Sequence, residues 1–324
     1  MVRITKRIVK GRTYYYLEES IKKGTKWIKE SIYLGKDLPG DLKLTEIYKK
    51  FEEMLKRKGI SGITPPFTEF ITRNLATKIE KAVMDKLLFL NSLSFKQRIE
   101  FIKRERITFV TDSNAIEGST LDYWLTERIL SDQKRIEILQ KRGVTITNMD
   151  KEEQEALNLN KCLDIYEKFL KNKKELTGEM ILQLHCVLLS KIDGYEPYCG
   201  IWRPVNVRIR GSDHVFPHHQ EVPKLINELI DWYSKNKNLT HPVELAAKFH
   251  TKFTTIHPFA DGNGRMARLI MNYILQINKI PFTNIPLRKR SKYMRTQEAG
   301  NNGNQKLFVL FLAQEIIKQN QKLK

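Results

Sequence analysis

The hydrophobic period of this chain changes once, near residue 42, and that change limits the folds open to it. Before it, Arg3-Ile4-Thr5-Lys6-Arg7-Ile8-Val9 alternates, and Lys10-Gly11-Arg12 reads as a turn. Thr13-Tyr14-Tyr15-Tyr16-Leu17-Glu18 is aromatic and strand-like, Lys23-Gly24-Thr25 turns again, and a third run extends from Lys26 to Gly35. Residues 1–41 therefore read as a three-stranded antiparallel meander with basic turns. Pro39 and Gly40 end it.

Beyond that point the spacing is helical. Residues 42–66 read as a linker helix, opening at Thr45-Glu46-Ile47-Tyr48, reaching about Lys58 and broken from Gly59 to Pro66. Residues 67–109 predict one or two amphipathic helices with a break at Ser94 or Phe95, and another helix is expected from Ser131 to about Leu139. A capping pattern at Asp150-Lys151-Glu152-Glu153 opens a helix to Leu170, and Thr177 caps one that runs to about Ser190. Ile226, Leu229, Ile230 and Trp232 share a helix, His241-Pro242 starts the next, and the last spans about Gln305 to Gln319. The fold class is mainly α, with small β additions.

The densest chemistry lies in Ile256-His257-Pro258-Phe259-Ala260-Asp261-Gly262-Asn263-Gly264-Arg265-Met266-Ala267-Arg268, followed by the apolar run Leu269 to Leu275. A helix preceded by glycines offers free N–H groups and the positive end of its dipole. Gly262 and Gly264 let an anion approach closely, and Arg265 and Arg268 share roughly one helix face. Two guanidinium forks beside an anion nest suit a polyphosphate. Asp261 at the mouth suits the Mg²⁺ that such a phosphate brings, and His257 is placed to take a proton from a hydroxyl.

His-Pro-Phe-x-Asp-Gly-Asn-Gly-Arg-x-x-Arg, as it stands at His257–Arg268, resembles the signature of the Fic family, without departures. Typical members transfer AMP from ATP to protein hydroxyls. A sister branch that phosphorylates has lysine where this chain has Gly264. The resemblance implies a Fic-type helical bundle over 67–324, His257 as the catalytic base, Asn263 and Arg265 on the α- and β-phosphates, Arg268 on the γ-phosphate, and Mg²⁺ held by Asp261.

Three further segments extend the resemblance. Cys199 to Pro217 alternates around Gly211-Ser212 and reads as a β-hairpin, whose edge can receive an extended peptide. It resembles the Fic flap (about 203–217), which implies that Val207, Arg208, Ile209 and Arg210 line the nucleotide site and that a protein substrate docks there. Thr111 to Gly118 alone reads as an ordinary helix with Gly118 as its cap. Beside the signature, Ser113-x-x-x-Glu117-Gly118 is similar to the family's inhibitory motif (a helix of about 108–118), which implies that Glu117 pairs with Arg268. Tyr293 and Glu298-Ala299-Gly300-Asn301 resemble the adenine-proximal segment, implying that Tyr293 lies against the base and Asn301 bonds the nucleotide.

Composition bounds the alternatives. The chain has 324 residues, a net charge of +20 and three cysteines, Cys162, Cys186 and Cys199, without metal-type spacing. That fits a reduced, cytoplasmic protein, and no run of about 18 apolar residues suggests a membrane span. Lysine is dispersed rather than gathered into a footprint, so packing is preferred to nucleic-acid binding for the basic meander. Three functions are carried forward: a self-inhibited AMP-transferase, removal of AMP with Glu117 as base, and a nucleic-acid-binding regulator. A homo-oligomer is left open.

Overall fold

The computed structural model describes residues 3–23, 26–37, several positions between 47 and 58, 68–141, 150–208 and 214–321. The N-terminal meander comprises β1 (Arg3–Val9), β2 (Arg12–Lys23) and β3 (Lys26–Gly35), antiparallel in the order β1-β2-β3. Lys10 and Gly11 both have positive φ (48° and 73°), which matches the right-handed twist of a two-residue hairpin turn. The register pairs Val9 with Arg12 and Tyr16 with Tyr33.

Alternation gives the sheet two faces. On one, the Tyr16 and Tyr33 rings lie 5.3 Å apart, Arg7 sits 4.3 Å over the Tyr16 ring, and Arg7 and Lys29 both pair with buried Glu18. On the other, Leu17 and Leu34 pack against Phe51 and Leu55, with Leu239 at the edge. The described residues between 47 and 57 are helical, as the linker-helix reading expects; residues 38–46 and 59–67 lie outside the described residues.

The remainder is helical. The helices are α1 (Arg73–Ser92), α2 (Phe95–Ile116), α3 (Tyr123–Lys141), α4 (Lys151–Lys171), α5 (Gly178–Leu189), α6 (Val222–Asn236), α7 (Pro242–Ile256), α8 (Asn263–Ile277), α9 (Arg290–Asn301) and α10 (Lys306–Asn320). The expected break after α1 falls at Leu93-Ser94, where Ser94 and Gln97 form a capping box. Asp150 and Glu153 form another, and Thr177 caps α5. Two expectations change, and one helix, α9, has no counterpart in the sequence reading. The helix expected from Ser131 begins at Tyr123, because Asp122 accepts from the Leu125 amide at 2.8 Å and caps it. α9 follows segment 278–289 with little amphipathic pattern of its own, so its sequence gave no period to read. The 203–217 hairpin has no strand in its described limbs, 203–208 and 214–217. Pro204 and Pro217 remove ladder donors there, and Arg203 takes the Val205 and Pro217 carbonyls instead.

The core sits around α8. From Arg265 to Leu275 every residue is buried, so this helix is enclosed on all sides. It packs chiefly on α7, and also on α2, α4 and α5. Each fully buried Leu, Ile or Phe contributes about 1.5–3 kcal/mol, so the bundle anchors α8 firmly and with it the loop at its N-terminus.

Because the meander shares a separate small core with the linker helix, Phe51→Ala is expected to loosen the sheet by about 3 kcal/mol or more while the bundle keeps its own transition. Hydrogen exchange should quicken in β2 and β3 and stay unchanged in α8. Equal loss of protection in both would show one cooperative unit.

Candidate active site

The loop between α7 and α8 carries the signature. His257 caps α7 in a left-handed conformation (φ 52°), an arrangement that costs a non-glycine residue about 1–2 kcal/mol. Its surroundings hold it there. The Arg203 amide donates to the Pro258 carbonyl and its Nε to the His257 carbonyl, both at 2.8 Å. Arg203 is 2% exposed, and its remaining donors bind the Val205 and Pro217 carbonyls, so one guanidinium joins the catalytic turn to both limbs of the flap segment. The Asn263 amide closes the loop from the other side: its Oδ1 accepts from the Phe259 N–H (2.9 Å) and its Nδ2 donates to the Phe259 carbonyl (2.8 Å).

Beneath the loop, the Phe259 ring stacks on His185 at 3.5 Å and 5°. His185 Nδ1 accepts from the Gly200 amide at 3.2 Å, so its proton resides on Nε2, which donates to the Asp261 carbonyl at 3.0 Å. Burial lowers the His185 pKa to about 4, which keeps that tautomer neutral. Gly262 turns the chain with φ 80°, and a Cβ there would lie 2.9 Å from Leu188 Cδ2. No side chain caps α8, so its first N–H groups remain open to an anion.

His257 lies against the Phe216 ring at 4.5 Å. Burial, with some help from Arg203, lowers its pKa to about 4 against the opposing pull of the Thr254 carbonyl, Glu117 and Asp261. It is neutral at pH 7 and able to accept a proton. Asp261 Oδ1 accepts from the Gly262 amide at 2.7 Å and Oδ2 lies 3.3 Å from Arg265.

The Ser113–Gly118 segment meets the signature. Arg268 is buried; its Nε donates to Ser113 Oγ (2.9 Å), and its Nη2 donates to the Ser113 carbonyl (2.8 Å) and to Glu117 Oε1 (2.7 Å). Burial works against its charge, but Glu117 outweighs it and the Arg268 pKa is raised. Glu117 rests directly on Gly264: a Cβ there would lie 2.1 Å from Glu117 Oε1 and 3.1 Å from Arg268 Nη1. The carboxylate thus sits at the open end of α8, where an anion is best stabilised. The turn that presents it is tied down by Arg290, whose Nε donates to the Ile116 carbonyl at 2.7 Å, and by Asp112, which accepts from the Leu287 amide at 3.0 Å.

Four expected nucleotide contacts are placed differently. Asn263 spends its amide on Phe259, so only its backbone faces the nest. Arg265, 2% exposed, lies between Asp261 and Glu155 (3.2 Å), held as an internal ion pair instead of reaching outward. Tyr293 is not a surface for the base: it is buried among Phe308 and Phe311, and its hydroxyl is shared with His250 Nε2 (2.9 Å) and Arg268 (3.5 Å). Asn301 accepts from Thr255 Oγ1 at 2.9 Å. Val207 is half-buried and Arg208 exposed; Ile209 and Arg210 lie outside the described residues. Arg203, His185, Glu155 and Arg290 were not singled out. Only Arg203 left a trace, a cation set between Trp202 and Pro204.

An uncapped helix N-terminus with buried guanidiniums and a neutral histidine at its mouth has the donors and the positive potential that suit a phosphate. Residues 175–275 match the Fic/DOC family, so the chain carries a Fic domain. It is 32% identical over 250 residues to protein adenylyltransferase Fic of Nematostella vectensis, covering 76% of this chain and 55% of that protein. It is 34% identical over 202 residues to protein adenylyltransferase Fic of Drosophila willistoni, covering 62% and 38% respectively. The chain thus spans about half the length, or less, of these curated relatives. In structure it is similar to a Fic domain containing signaling protein from Bacteroides thetaiotaomicron, with a TM-score of 0.62 and 25% identity over 75% of this chain and 95% of that one.

Buried histidines make the fold sensitive to acid. His185, His241 and His257 are lowered to about 4 and His250 to about 3, all chiefly by burial. Their unfolded values lie near 6.5, so the unfolded chain binds more protons below that pH. Their stability contribution is complete above about pH 6.5 and is lost as pH falls toward 4, at about 1.4 kcal/mol per histidine per unit. Urea midpoints should be flat from pH 8 to 7 and fall steeply from 6.5 to 4.5. A midpoint unchanged at pH 5 would contradict this.

Proposed function

We propose that this chain transfers AMP from ATP to a hydroxyl group of a protein, and that Glu117 holds the activity down. The observation that carries the reading is the Glu117 carboxylate seated on Gly264 and bonded to Arg268. The names of the curated relatives support the reaction class. Their additional length leaves substrate and partners to this proposal.

In the proposed mechanism the phosphates lie on the N–H groups at the start of α8, with the buried Arg268 guanidinium, now held by Glu117, as their cationic partner. The substrate hydroxyl oxygen attacks the α-phosphorus in line with the bond to pyrophosphate. The new P–O bond forms as the old one breaks, and His257 takes the hydroxyl proton. Asp261, a single carboxylate about one-third exposed at the mouth of the nest, suits the usual manner of holding Mg²⁺ through one or two carboxylates and substrate phosphates. Mg²⁺, when bound, would neutralise phosphate charge. Arg265 does not reach the nucleotide in this scheme; it orients Asp261. The flap segment, fixed by Arg203, would align the target, and a reduced cytoplasmic setting is part of the same reading.

Occupation by Glu117 removes one charge-assisted contact from the incoming phosphate and puts a negative charge beside it. Such a contact contributes about 1.5–3 kcal/mol, or roughly ten- to a hundredfold in rate. Glu117→Gly should therefore raise labelling of the protein by itself, from labelled ATP and Mg²⁺, about tenfold or more. Glu117→Asp should raise it less, and Arg268→Ala should be inactive in either background. Equal labelling by wild type and Glu117→Gly would defeat the inhibitory role.

His257→Ala in the Glu117→Gly background should lower transfer by about 10²–10⁴-fold while ATP binding, followed by calorimetry, stays nearly unchanged, because His257 acts on the hydroxyl. Loss of ATP binding together with transfer would assign His257 to the nucleotide instead of the proton.

A further inference from the structure

Two of the three cysteines meet at the underside of the catalytic loop. Cys186 is on α5, directly after His185, and its side chain is exposed; Cys199 precedes Gly200 and is partly buried. Gly200 adopts φ 66° and presses on α5: a Cβ there would lie 3.0 Å from Cys186 Cβ, 3.7 Å from Cys186 Sγ and 3.1 Å from the Leu182 carbonyl. Only glycine permits that approach. It brings the neighbouring Cys199 thiol within hydrogen-bonding reach of Cys186, with the Tyr195 carbonyl 3.8 Å from Cys199 Sγ.

We propose that Cys186 and Cys199 are a dithiol modification site that a peroxide closes to an intramolecular disulfide. A disulfide needs Cα atoms about 4.4–6.8 Å apart, and the seat of Gly200 on Cys186 Cβ, with the two thiols in hydrogen-bonding reach, is the closeness such a bond calls for. The order of events follows from exposure. The Cys186 thiolate attacks the peroxide, an S–O bond forms as the O–O bond breaks, and water leaves after protonation. The Cys199 sulfur then attacks the Cys186 sulfenic acid; the S–S bond forms, the S–O bond breaks, and the Cys199 proton leaves with the hydroxyl as a second water. Two thiols are oxidised and one hydrogen peroxide is reduced to two waters. Burial raises the Cys199 pKa, with Cys186 adding to the effect, so Cys199 is the second sulfur to react and not the first.

The position gives the bond a consequence. The Gly200 amide donates to His185 Nδ1, and His185 Nε2 donates to the Asp261 carbonyl. Cys186 and Cys199 stand one residue from the two ends of the Gly200–His185 bond. A disulfide between them clamps the strut that supports the Asp261–Gly262 turn. This inference is independent of the reaction assigned above.

The test uses the full chain, reduced and then treated with a few equivalents of hydrogen peroxide. After alkylation of free thiols, a non-reduced digest should contain one linked pair, Cys186–Cys199, two hydrogens lighter than the sum of its reduced peptides, with Cys162 alkylated only after unfolding. The thermal midpoint should rise by about 5 °C or more, and amide exchange over 199–203 should slow. Cys186→Ser, at an exposed position, should fold normally and lose all three effects. Over-oxidation of Cys186 beside a free Cys199, or a link that joins two chains, would overturn the proposal.

Discussion

Two of the buried guanidiniums, Arg265 and Arg268, stand on α8, and their need for opposite charge draws the neighbouring elements around its N-terminus. An unpaired buried charge costs several kcal/mol, a large part of the stability of a domain. Arg265 is met by Asp261 and Glu155. Arg268 is met by Ser113, Glu117 and Tyr293. These partners come from α2, α4, α9 and the catalytic loop, so satisfying two side chains fixes four elements around the N-terminus of α8. Tyr293 shows the logic: its hydroxyl is committed to His250 and Arg268, which makes it a support for Arg268.

Among the partners, Glu117 differs. Its side chain is about one-third exposed, whereas Arg268 is enclosed. A carboxylate that reaches the site from the surface can be exchanged for another anion without leaving the arginine unpaired. Gly264 makes room for that exchange, since any Cβ there would collide with the carboxylate. In the proposed mechanism an incoming phosphate would meet Glu117 at the same guanidinium, beside the N-terminus of α8, and such an exchange would need no large conformational change.

The turn at His257 is held by one buried guanidinium and one neutral imidazole. His257 keeps a strained left-handed backbone because Arg203 binds its carbonyl and that of Pro258. His185 passes a hydrogen bond from Gly200 to Asp261 while its ring supports Phe259. Burial removes the positive charge from both histidines, which suits one as a proton acceptor and the other as a strut. Preorganisation of this kind places donors and acceptor before the substrate arrives.

Local chemistry was legible in the linear order. The change of period at residue 42, the break at Ser94, the capping pattern at Asp150, and the run from His257 to Arg268 are all local, so sheet, helices and anion nest could be read from spacing. The Ser113–Glu117 spacing together with the signature pointed to Arg268, and the two meet at 2.7 Å. What each polar side chain does inside the site was decided by tertiary structure. The family resemblance placed Asn263 and Arg265 on the phosphates; Asn263 gives its amide to Phe259, and Arg265 forms ion pairs with Asp261 and Glu155 while its Nε and Nη1 have no hydrogen-bond partner among the described residues. Tyr293 read as a platform for the base and is a core residue. Arg203, His185 and Arg290 carry no motif, because their roles depend on carbonyls far away in sequence. Spacing along a chain determines which groups share a face; the demand of buried charge for partners, met only once the helices pack, determines which of those groups remain free to act.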